Sequence, residues 1–333
     1  MGRFIISSLA RAPRLPAVVL LASAMLAAGC GLPLYVDRAL TAVPYRTQST
    51  GRIIVQVSVN GDGPFPFALD TASSGSFVFA RLREQLGLPD VADLEANVQG
   101  AVASGRFPVV SIDSLKIGAE VLVDSRLIAL PGDTDAASGI DGILGVDLLR
   151  RYAIGFSVRD SVVRFYEPQI VSEGNYQGWA AIRLEPIRVG ISEQPIYFFD
   201  VNIAGRVMPA LFDLGAGVNI INSAAVERLD LNVSRADADA ILSGAIERQS
   251  VMAQFDSQGV MTGRVRWRDE LFLLADLEVF EALGYQNRPL AILGSGLFTQ
   301  RDFIIDFARN RLLVRTSMAE RDNSPAAERN PEP

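Results

Sequence analysis

The segment "FALDTASSGSFV", residues 67–78, places one carboxylate between an apolar strand and a run of small residues. Asp70 follows Leu69, where the apolar pattern indicates that a core begins, and it precedes "TASSG". Taken alone, this pattern is typical of a solvated turn at the end of a strand. A second interpretation becomes possible only when the segment is compared with the rest of the chain.

The same segment recurs in the second half of the chain. "ALFDLGAGVNII", residues 210–221, aligns Asp213 with Asp70. Three further blocks recur in the same order: "VSVNG" (57–61) as "VNIAG" (201–205), "GILGVDLL" (142–149) as "AILGSGLF" (291–298), and "GFSVRDSVVRFY" (155–166) as "IIDFARNRLLVR" (304–315). Four blocks in one order indicate a tandem duplication.

Alternating apolar residues predict a mainly β protein with a few short helices. "RIIVQVSVNG", residues 52–61, alternates and ends on Asn60-Gly61, which is a hairpin signal. Short helices are predicted around 82–86, 224–229 and 277–283. The predicted division is a first lobe at 51–166, a connection at 167–195, a second lobe at 196–315 and a disordered tail at 316–333.

The N-terminal segment has the pattern of a secretory signal. Residues 1–29 combine early arginines with a short apolar stretch, and Cys30, the only cysteine of the chain, follows directly. "LAAGC", residues 26–30, resembles the lipidation motif of bacterial lipoproteins; an ordinary signal with an incidental Cys30 is the alternative. The resemblance implies a lipid anchor on Cys30, a linker at 30–50, and a location in the cell envelope facing the periplasm. Gly31 favours the outer membrane over the inner one.

Composition excludes several classes of chemistry. The chain has no histidine, which excludes Ser-His-Asp and Cys-His triads and zinc sites that depend on imidazole. Removing Arg3, Arg11 and Arg14 with the signal lowers the net charge from −7 to −10, and an acidic domain argues against a nucleic-acid partner. Acid–base chemistry must therefore use carboxylates, lysine or tyrosine. We predict no metal and no cofactor.

A duplicated carboxylate has a specific chemical use. If the two halves pack about a pseudo-twofold axis, Asp70 and Asp213 lie side by side. Two carboxyl groups about 3 Å apart cannot both ionise, so they share one proton. The ionised member can then accept a proton from water while the protonated member polarises a peptide carbonyl. This arrangement predicts hydrolysis without a covalent intermediate.

The residues also carry a resemblance to a known family. "VSVNGDGPFPFALDTA" (57–72), "GILGVD" (142–147) and their second copies resemble the retropepsin-like aspartic proteases and, more distantly, pepsin. "ADLEVFEALGY" (275–285) followed by "AILGSGLF" is similar to bacterial, periplasm-facing members. The resemblance implies two tandem closed β-barrel lobes in a pepsin-like bilobal arrangement. It also implies catalytic roles for Asp70 and Asp213, support from Thr71, Ala72, Leu214 and Gly215, and structural segments Leu144-Gly145 and Leu293-Gly294.

Two positions depart from the family pattern, and two hairpins are candidate flaps. Ala72 replaces a glycine, and Leu214 replaces the residue whose hydroxyl braces the acidic turns across the lobe interface. Glycine-bearing hairpins between acid turn and Leu-Gly segment cover the substrate in retropepsins. Their counterparts are 97–108, with Gly100 and Gly105, and 242–250, with Gly244; plain hairpin loops are the alternative. The loop at 132–142, with Asp133, Asp135 and Asp141, is expected to be a solvated turn and not a calcium site.

These observations predict an aspartic endopeptidase that cuts extended polypeptide in the cell envelope. The alternative is a catalytically weak or inactive peptide-binding envelope lipoprotein with the same cleft, supported by Ala72 and Leu214. An unrelated β-rich envelope protein is a third interpretation. Because one chain carries both acids, the site needs no dimer, and a monomer is expected.

Overall fold

The computed structural model describes residues 38–99, 104–131, 139–172, 176–189, 194–235, 241–243, 248–257, 259–268 and 270–317. These residues are mainly in β-strands, as predicted. The strands of the first half are β1 (Thr41–Thr47), β2 (Ile53–Val59), β3 (Asp62–Leu69), β4 (Phe77–Phe79), β5 (Asp90–Gln99), β6 (Ser104–Ile117), β7 (Glu120–Leu130), β8 (Gly142–Leu144), β9 (Ala153–Ser157) and β10 (Val162–Tyr166).

The later strands are β11 (Trp179–Arg183), β12 (Glu185–Ile187), β13 (Ile196–Ile203), β14 (Arg206–Asp213), β15 (Asn219–Ile221), β16 (Ser234–Arg235), β17 (Ile241–Ser243), β18 (Arg248–Ser250), β19 (Ala253–Ser257), β20 (Val260–Thr262), β21 (Val265–Trp267), β22 (Glu270–Leu274), β23 (Ala291–Gly294), β24 (Phe303–Asp306) and β25 (Arg311–Arg315). The short helices are α1 (Ala80–Leu86), α2 (Val146–Leu149), α3 (Pro168–Ser172), α4 (Ser223–Leu229), α5 (Glu278–Ala282) and α6 (Ser295–Phe298). Helices α1, α4 and α5 confirm the three helices predicted from the sequence.

The hairpin before the first acid forms as its turn residues predict. Strands β2 and β3 pair antiparallel, with Val57 opposite Phe65. Asn60 and Gly61 between them both have positive φ, at 53° and 88°. Asparagine and glycine tolerate this backbone conformation, and the tight turn it makes matches the twist of the flanking strands. The hairpin directs β3 into the core and delivers the chain to Asp70.

Both halves repeat one set of strand pairings around the acid. In the first half, β3 pairs parallel with β8, β8 antiparallel with β4, and β4 parallel with β7. In the second half, β14 pairs parallel with β23, β23 antiparallel with β15, and β15 parallel with β22. The repeated sequence blocks therefore fold into the same local arrangement. In each half the acid comes at the end of the strand that pairs with the Leu-Gly segment.

One sheet contains strands from both halves of the chain. Thirteen strands follow the order β11-β25-β24-β9-β10-β1-β2-β3-β8-β4-β7-β6-β5, and ten others form a second sheet, with β17 and β18 as a separate pair. Strands β9 and β24 pair antiparallel, with Phe156 opposite Phe303. Their rings stack with centroids 4.2 Å apart. The predicted lobes thus share a sheet, which repeat matching alone did not predict; the lobe boundaries stay a prediction.

Two local predictions are wrong. Asp141, expected in a solvated turn, is only 4% exposed and forms an ion pair with Arg81. Its backbone N–H donates to Pro66 O at 2.8 Å, so the loop end is part of the core. Thr316, assigned to the disordered tail, is buried, and its hydroxyl donates to Gly178 O at 2.8 Å. Backbone acceptors distant in sequence hold both residues in place.

No helix in the described part of the chain combines the length and the apolar character needed to cross a membrane. The predicted signal segment, Cys30 and residues 31–37 of the predicted linker lie outside the described residues, as do Asp133, Asp135 and residues 318–333 of the tail.

Candidate active site

Asp70 and Asp213 occupy equivalent turns, and the backbone binds each carboxylate in the same way. Asp70 Oδ1 accepts hydrogen bonds from the N–H groups of Ala72 and Ser73, both at 2.9 Å. Asp213 Oδ1 accepts from Gly215 at 2.8 Å and from Ala216 at 3.0 Å. The residues that donate these bonds, two and three positions after each acid, are small, which allows the backbone to turn back close to the carboxylate. In each case the backbone binds one oxygen, Oδ1, and thereby orients the carboxyl group.

Thr71 connects the two turns. Its hydroxyl donates to Phe212 O at 2.8 Å and accepts from Leu214 N–H at 3.0 Å. These two backbone groups flank Asp213. Thr71 is fully buried, so water does not compete for the bonds. The first half of the chain is therefore hydrogen-bonded, through the Thr71 hydroxyl, to the backbone of the second half just before and just after Asp213.

The carboxyl group of Asp70 lies against the opposite turn. A Cβ placed on Gly215 would be 2.8 Å from Asp70 Oδ1 and would overlap the rest of that carboxyl group. Gly215 is also the residue whose N–H binds Asp213. Only a residue without a side chain permits this approach. Gly215 therefore contacts both acids, the Asp70 carboxyl group at its Cα and the Asp213 carboxylate at its N–H. Both acids are partly exposed.

Arg52, which sequence reasoning missed, binds the second turn from the first half. Its Nε donates to Gly215 O at 2.9 Å. The chain just before it packs on the same turn, because a Cβ on Gly217 would overlap Thr50 O. Gly51 O also accepts a bond at 2.7 Å from Oγ of Ser295, the first residue of α6. Nothing in the local pattern around Arg52 indicates this role, since its partner is distant in sequence.

The protonation of the pair follows from this environment. Burial is the main cause that raises the pKa of Asp70, against the lowering effects of the Ala72 N–H, the Arg52 charge and the Ser73 N–H. Burial first, and then the negative charge of Asp70, raise the pKa of Asp213 to about 7. The positive charge of Arg52 lowers both pKa values. The pair therefore retains a proton well above the pH at which an ordinary aspartate loses it.

The Leu-Gly segments lie directly behind the acids. Leu69 is paired with Leu144, and the N–H of Asp70 donates to Leu144 O at 3.0 Å. In the second half, Asp213 is paired with Gly294, whose Cβ, if present, would lie 2.5 Å from Val218 O. Leu144 and Leu293 are fully buried. Each glycine permits a backbone contact that a side chain would block.

Two further polar residues form hydrogen bonds to the backbone of these Leu-Gly segments, and the sequence analysis missed both. Ser76 Oγ accepts from Gly145 N–H at 2.9 Å and donates to Asp147 Oδ1 at 2.6 Å. Asn219 Oδ1 accepts from Gly294 N–H at 3.0 Å. Ser76 and Asn219 align with each other in the repeat, so the repeat itself carried the signal. A polar residue kept at the start of a buried strand indicates a backbone partner.

The candidate flaps are described only in part. Strands β5 and β6 form a hairpin in which Val98 is opposite Gly105. Phe107 and Val98 pack against a cluster that contains Ala68, two residues before Asp70. Gly100 lies outside the described residues. In the second half, β17 and β18 pair as a hairpin, and Gly244 lies outside the described residues. The flap assignment stays a prediction.

The two departures from the family pattern have different surroundings. Leu214 is completely buried and belongs to the main core. Because leucine has no hydroxyl, the second turn cannot form hydrogen bonds to the first turn that correspond to those made by Thr71. Ala72 is partly exposed and packs against the apolar cluster of Phe198 and Ile292 in the second half. The connection between the turns is therefore one-sided, with the first half supplying the hydroxyl.

Removing the Thr71 hydroxyl should destabilise the protein. The isosteric change Thr71→Val leaves Phe212 O and Leu214 N–H without this partner. We expect a loss of about 1–3 kcal/mol in the free energy of unfolding, measured by urea unfolding. Thr47→Val, the same change at an exposed position of β1, is the matched control. Equal stability of the two variants would contradict the bridging role.

Comparison with known proteins bears directly on this geometry. Residues 55–148 match the family model described as aspartyl protease. Over these residues the chain is similar to the retropepsin-like aspartyl proteases. The matched part includes Asp70, Thr71 and the segment Leu144-Gly145, and it ends before Asp213. No curated protein matches the chain significantly.

Proposed function

We propose that the protein is an aspartic endopeptidase whose two halves form pepsin-like lobes and whose catalytic pair is Asp70 and Asp213. The observation that carries the proposal is the contact of the Asp70 carboxyl group with Gly215, the residue that also binds Asp213. Repeated strand pairings around each acid support the two-lobe arrangement. The family of residues 55–148 supports protease chemistry.

The proposed reaction uses a water molecule and the proton shared by the pair. The ionised carboxylate accepts a proton from the water, whose oxygen attacks the carbonyl carbon of the peptide bond. The protonated carboxyl group donates its proton to the carbonyl oxygen. The tetrahedral intermediate then collapses: the carboxyl group that took the proton of the water gives it to the amide nitrogen, the C–N bond breaks and the amine leaves. One hydroxyl of the intermediate returns its proton to the other carboxylate, which restores the shared proton and forms the product acid. The N–H groups on each Oδ1 hold both carboxyl groups in position throughout.

We further propose an extended polypeptide as the substrate. It would lie between the catalytic turns and the β5–β6 hairpin, whose Val98 and Phe107 supply apolar contacts. Attachment to the envelope through a lipid on Cys30, facing the periplasm, is part of the same proposal and rests on "LAAGC". One chain supplies both acids, which supports action as a monomer.

A second candidate is a binding protein that retained the cleft and lost catalysis. The observation that favours it is the apolar, completely buried side chain of Leu214. At this position the second turn offers no hydroxyl to bind the backbone of the first turn. In this case extended peptides would bind between the halves without being cleaved. Lipid anchoring and location would be unchanged.

A statine-containing peptide distinguishes the two candidates. The statine hydroxyl binds between two carboxyl groups that share a proton, so we expect inhibition and binding near pH 5. A matched peptide that lacks the hydroxyl should bind at least about 10-fold more weakly, equivalent to the loss of one hydrogen bond to a charged group. Equal calorimetric affinity for both peptides would favour the binding protein, and the absence of binding would contradict both candidates.

A further inference from the structure

A cavity that does not include the acidic pair lies where the two halves of the chain meet. Its volume is about 630 Å³. It is bounded by the turn between β9 and β10, the residue after β21, the segment between α6 and β24, and the end of β25. Its charged and amide lining residues are Arg159, Arg268, Gln300, Arg301, Asp302 and Arg315.

The lining is strongly basic in an acidic protein. Four arginines and one aspartate give the cavity an excess of three positive charges, whereas the whole chain carries −7. Asp302 is already engaged, because one oxygen accepts from Val158 N–H at 2.9 Å and the other pairs with Arg315 at 3.7 Å. Arg159 and Arg268 are exposed and form no ion pair with any residue that the structure describes. The carboxylate of Asp302 therefore does not neutralise the cluster.

Two of the guanidinium groups are held in place at the cavity wall. Arg301 donates to Arg315 O at 3.5 Å and also to Arg266 O. The guanidinium of Arg315 lies 6.0 Å from the centre of the Trp179 ring. Groups that are already ordered lose less conformational entropy when a ligand binds. The other two, Arg159 and Arg268, are exposed lining residues that come from the first and second halves of the chain.

We propose that this cavity binds a phosphate-bearing ligand. A phosphate group carries close to two negative charges and three acceptor oxygens, and guanidinium groups bind such oxygens in pairs. An excess of three positive charges suits a dianion better than a single carboxylate. The volume also exceeds what one phosphate needs, so an organic group or a second phosphate attached to it can enter. Because Arg159 and the other arginines belong to different halves, the bound ligand would connect the halves.

The binding test uses the full chain and inorganic pyrophosphate as the probe. Calorimetry in 0.15 M salt should detect binding, and the double variant Arg159→Gln/Arg268→Gln should weaken it at least about 10-fold, as expected for the loss of charged hydrogen bonds. The control is Arg126→Gln/Arg206→Gln, which removes the same charge from exposed positions outside the cavity. The control should bind as the wild type does. Thermal unfolding without ligand checks that both variants are folded.

A second arm identifies the source of the phosphate. Flotation with vesicles of phosphatidylglycerol and phosphatidylcholine, compared with phosphatidylcholine alone, tests a lipid headgroup. Vesicle binding that is lost in the cavity variant alone supports the headgroup, and pyrophosphate binding without vesicle binding supports a soluble phosphoester. Equal weakening in the cavity and control variants, or no binding to either probe, would overturn the proposal. Neither result depends on protease activity.

Discussion

Asp70→Asn and Asp213→Asn should each lower kcat/KM for a polypeptide substrate by about 10²–10⁴-fold, the range expected when a general acid or base is removed. An amide cannot accept the proton of the attacking water, and it cannot share a proton with the remaining carboxylate. The two losses should be similar, because the carboxyl groups act as one unit on either side of Gly215. The double variant should lose little more than either single one.

The measurement is cleavage of fluorescently labelled casein between pH 4 and pH 7. The matched controls are Asp62→Asn and Asp200→Asn, which make the same change at exposed positions, one in each half. Both controls should keep wild-type rates. Cleavage that persists in either acid variant would remove the paired mechanism. No cleavage by the wild type, together with equal affinity for the statine peptide and the peptide that lacks the hydroxyl, would leave the binding protein as the function.

The Asp213→Asn variant should be more stable than the wild type at neutral and higher pH. The folded pKa of Asp213 is raised to about 7, whereas the unfolded chain has an ordinary aspartate. Between about pH 4 and pH 7 the folded state therefore binds more protons than the unfolded state, and the free energy of unfolding falls as the pH rises. The pKa is raised from 3.8 to about 7, and one pKa unit corresponds to about 1.4 kcal/mol, so the full penalty above pH 7 is on the order of 4 kcal/mol.

Urea unfolding at pH 4 and pH 8 measures this effect. The difference in stability between Asp213→Asn and the wild type should grow by about 4 kcal/mol in favour of the variant over this range. Asp200→Asn, whose side chain is exposed, should give no such difference. An unchanged difference at the two pH values would mean that Asp213 ionises as an ordinary aspartate.

Urea unfolding of Arg52 variants at several pH values provides a second test of the pKa values of the pair. Arg52→Met removes the positive charge that lowers the pKa of both acids, so the loss of stability should extend to a higher pH. Arg52→Lys keeps the charge but not the geometry of the bond to Gly215 O. Restoration of the wild-type profile by lysine would assign the effect to charge. An effect of both substitutions on stability at every pH would assign it to the hydrogen bond.

Much of the local structure could be predicted from the sequence. The alternating pattern of residues 53–59 and the Asn60-Gly61 turn define the first hairpin, because turn conformation and strand period depend only on neighbouring residues. The repeat predicted that Asp70 and Asp213 occupy equivalent turns, and the same backbone bonds to each Oδ1 follow from the small residues after them. The resemblance to the retropepsin-like proteases also predicts a supporting role for Thr71.

The remaining features depend on contacts between distant segments. Arg52 has no sequence signal of function, since it acts through a backbone group reached only after folding. The repeat marks Ser76 and Asn219, but their backbone partners, Gly145 and Gly294, are distant in sequence and are identified only by the structure. The burial of Asp141 depends in the same way on Arg81 and the strand beside it. Desolvation and Coulomb interactions set the pKa of Asp213, and both depend on distances in space. The sequence by itself determined that the chain carries two matching acidic turns on β-strands. Only the tertiary structure decided that the turns meet at Gly215, because Asp70 follows a strand of one sheet and Gly215 follows a strand of the other, and no local pattern brings those two strand ends together.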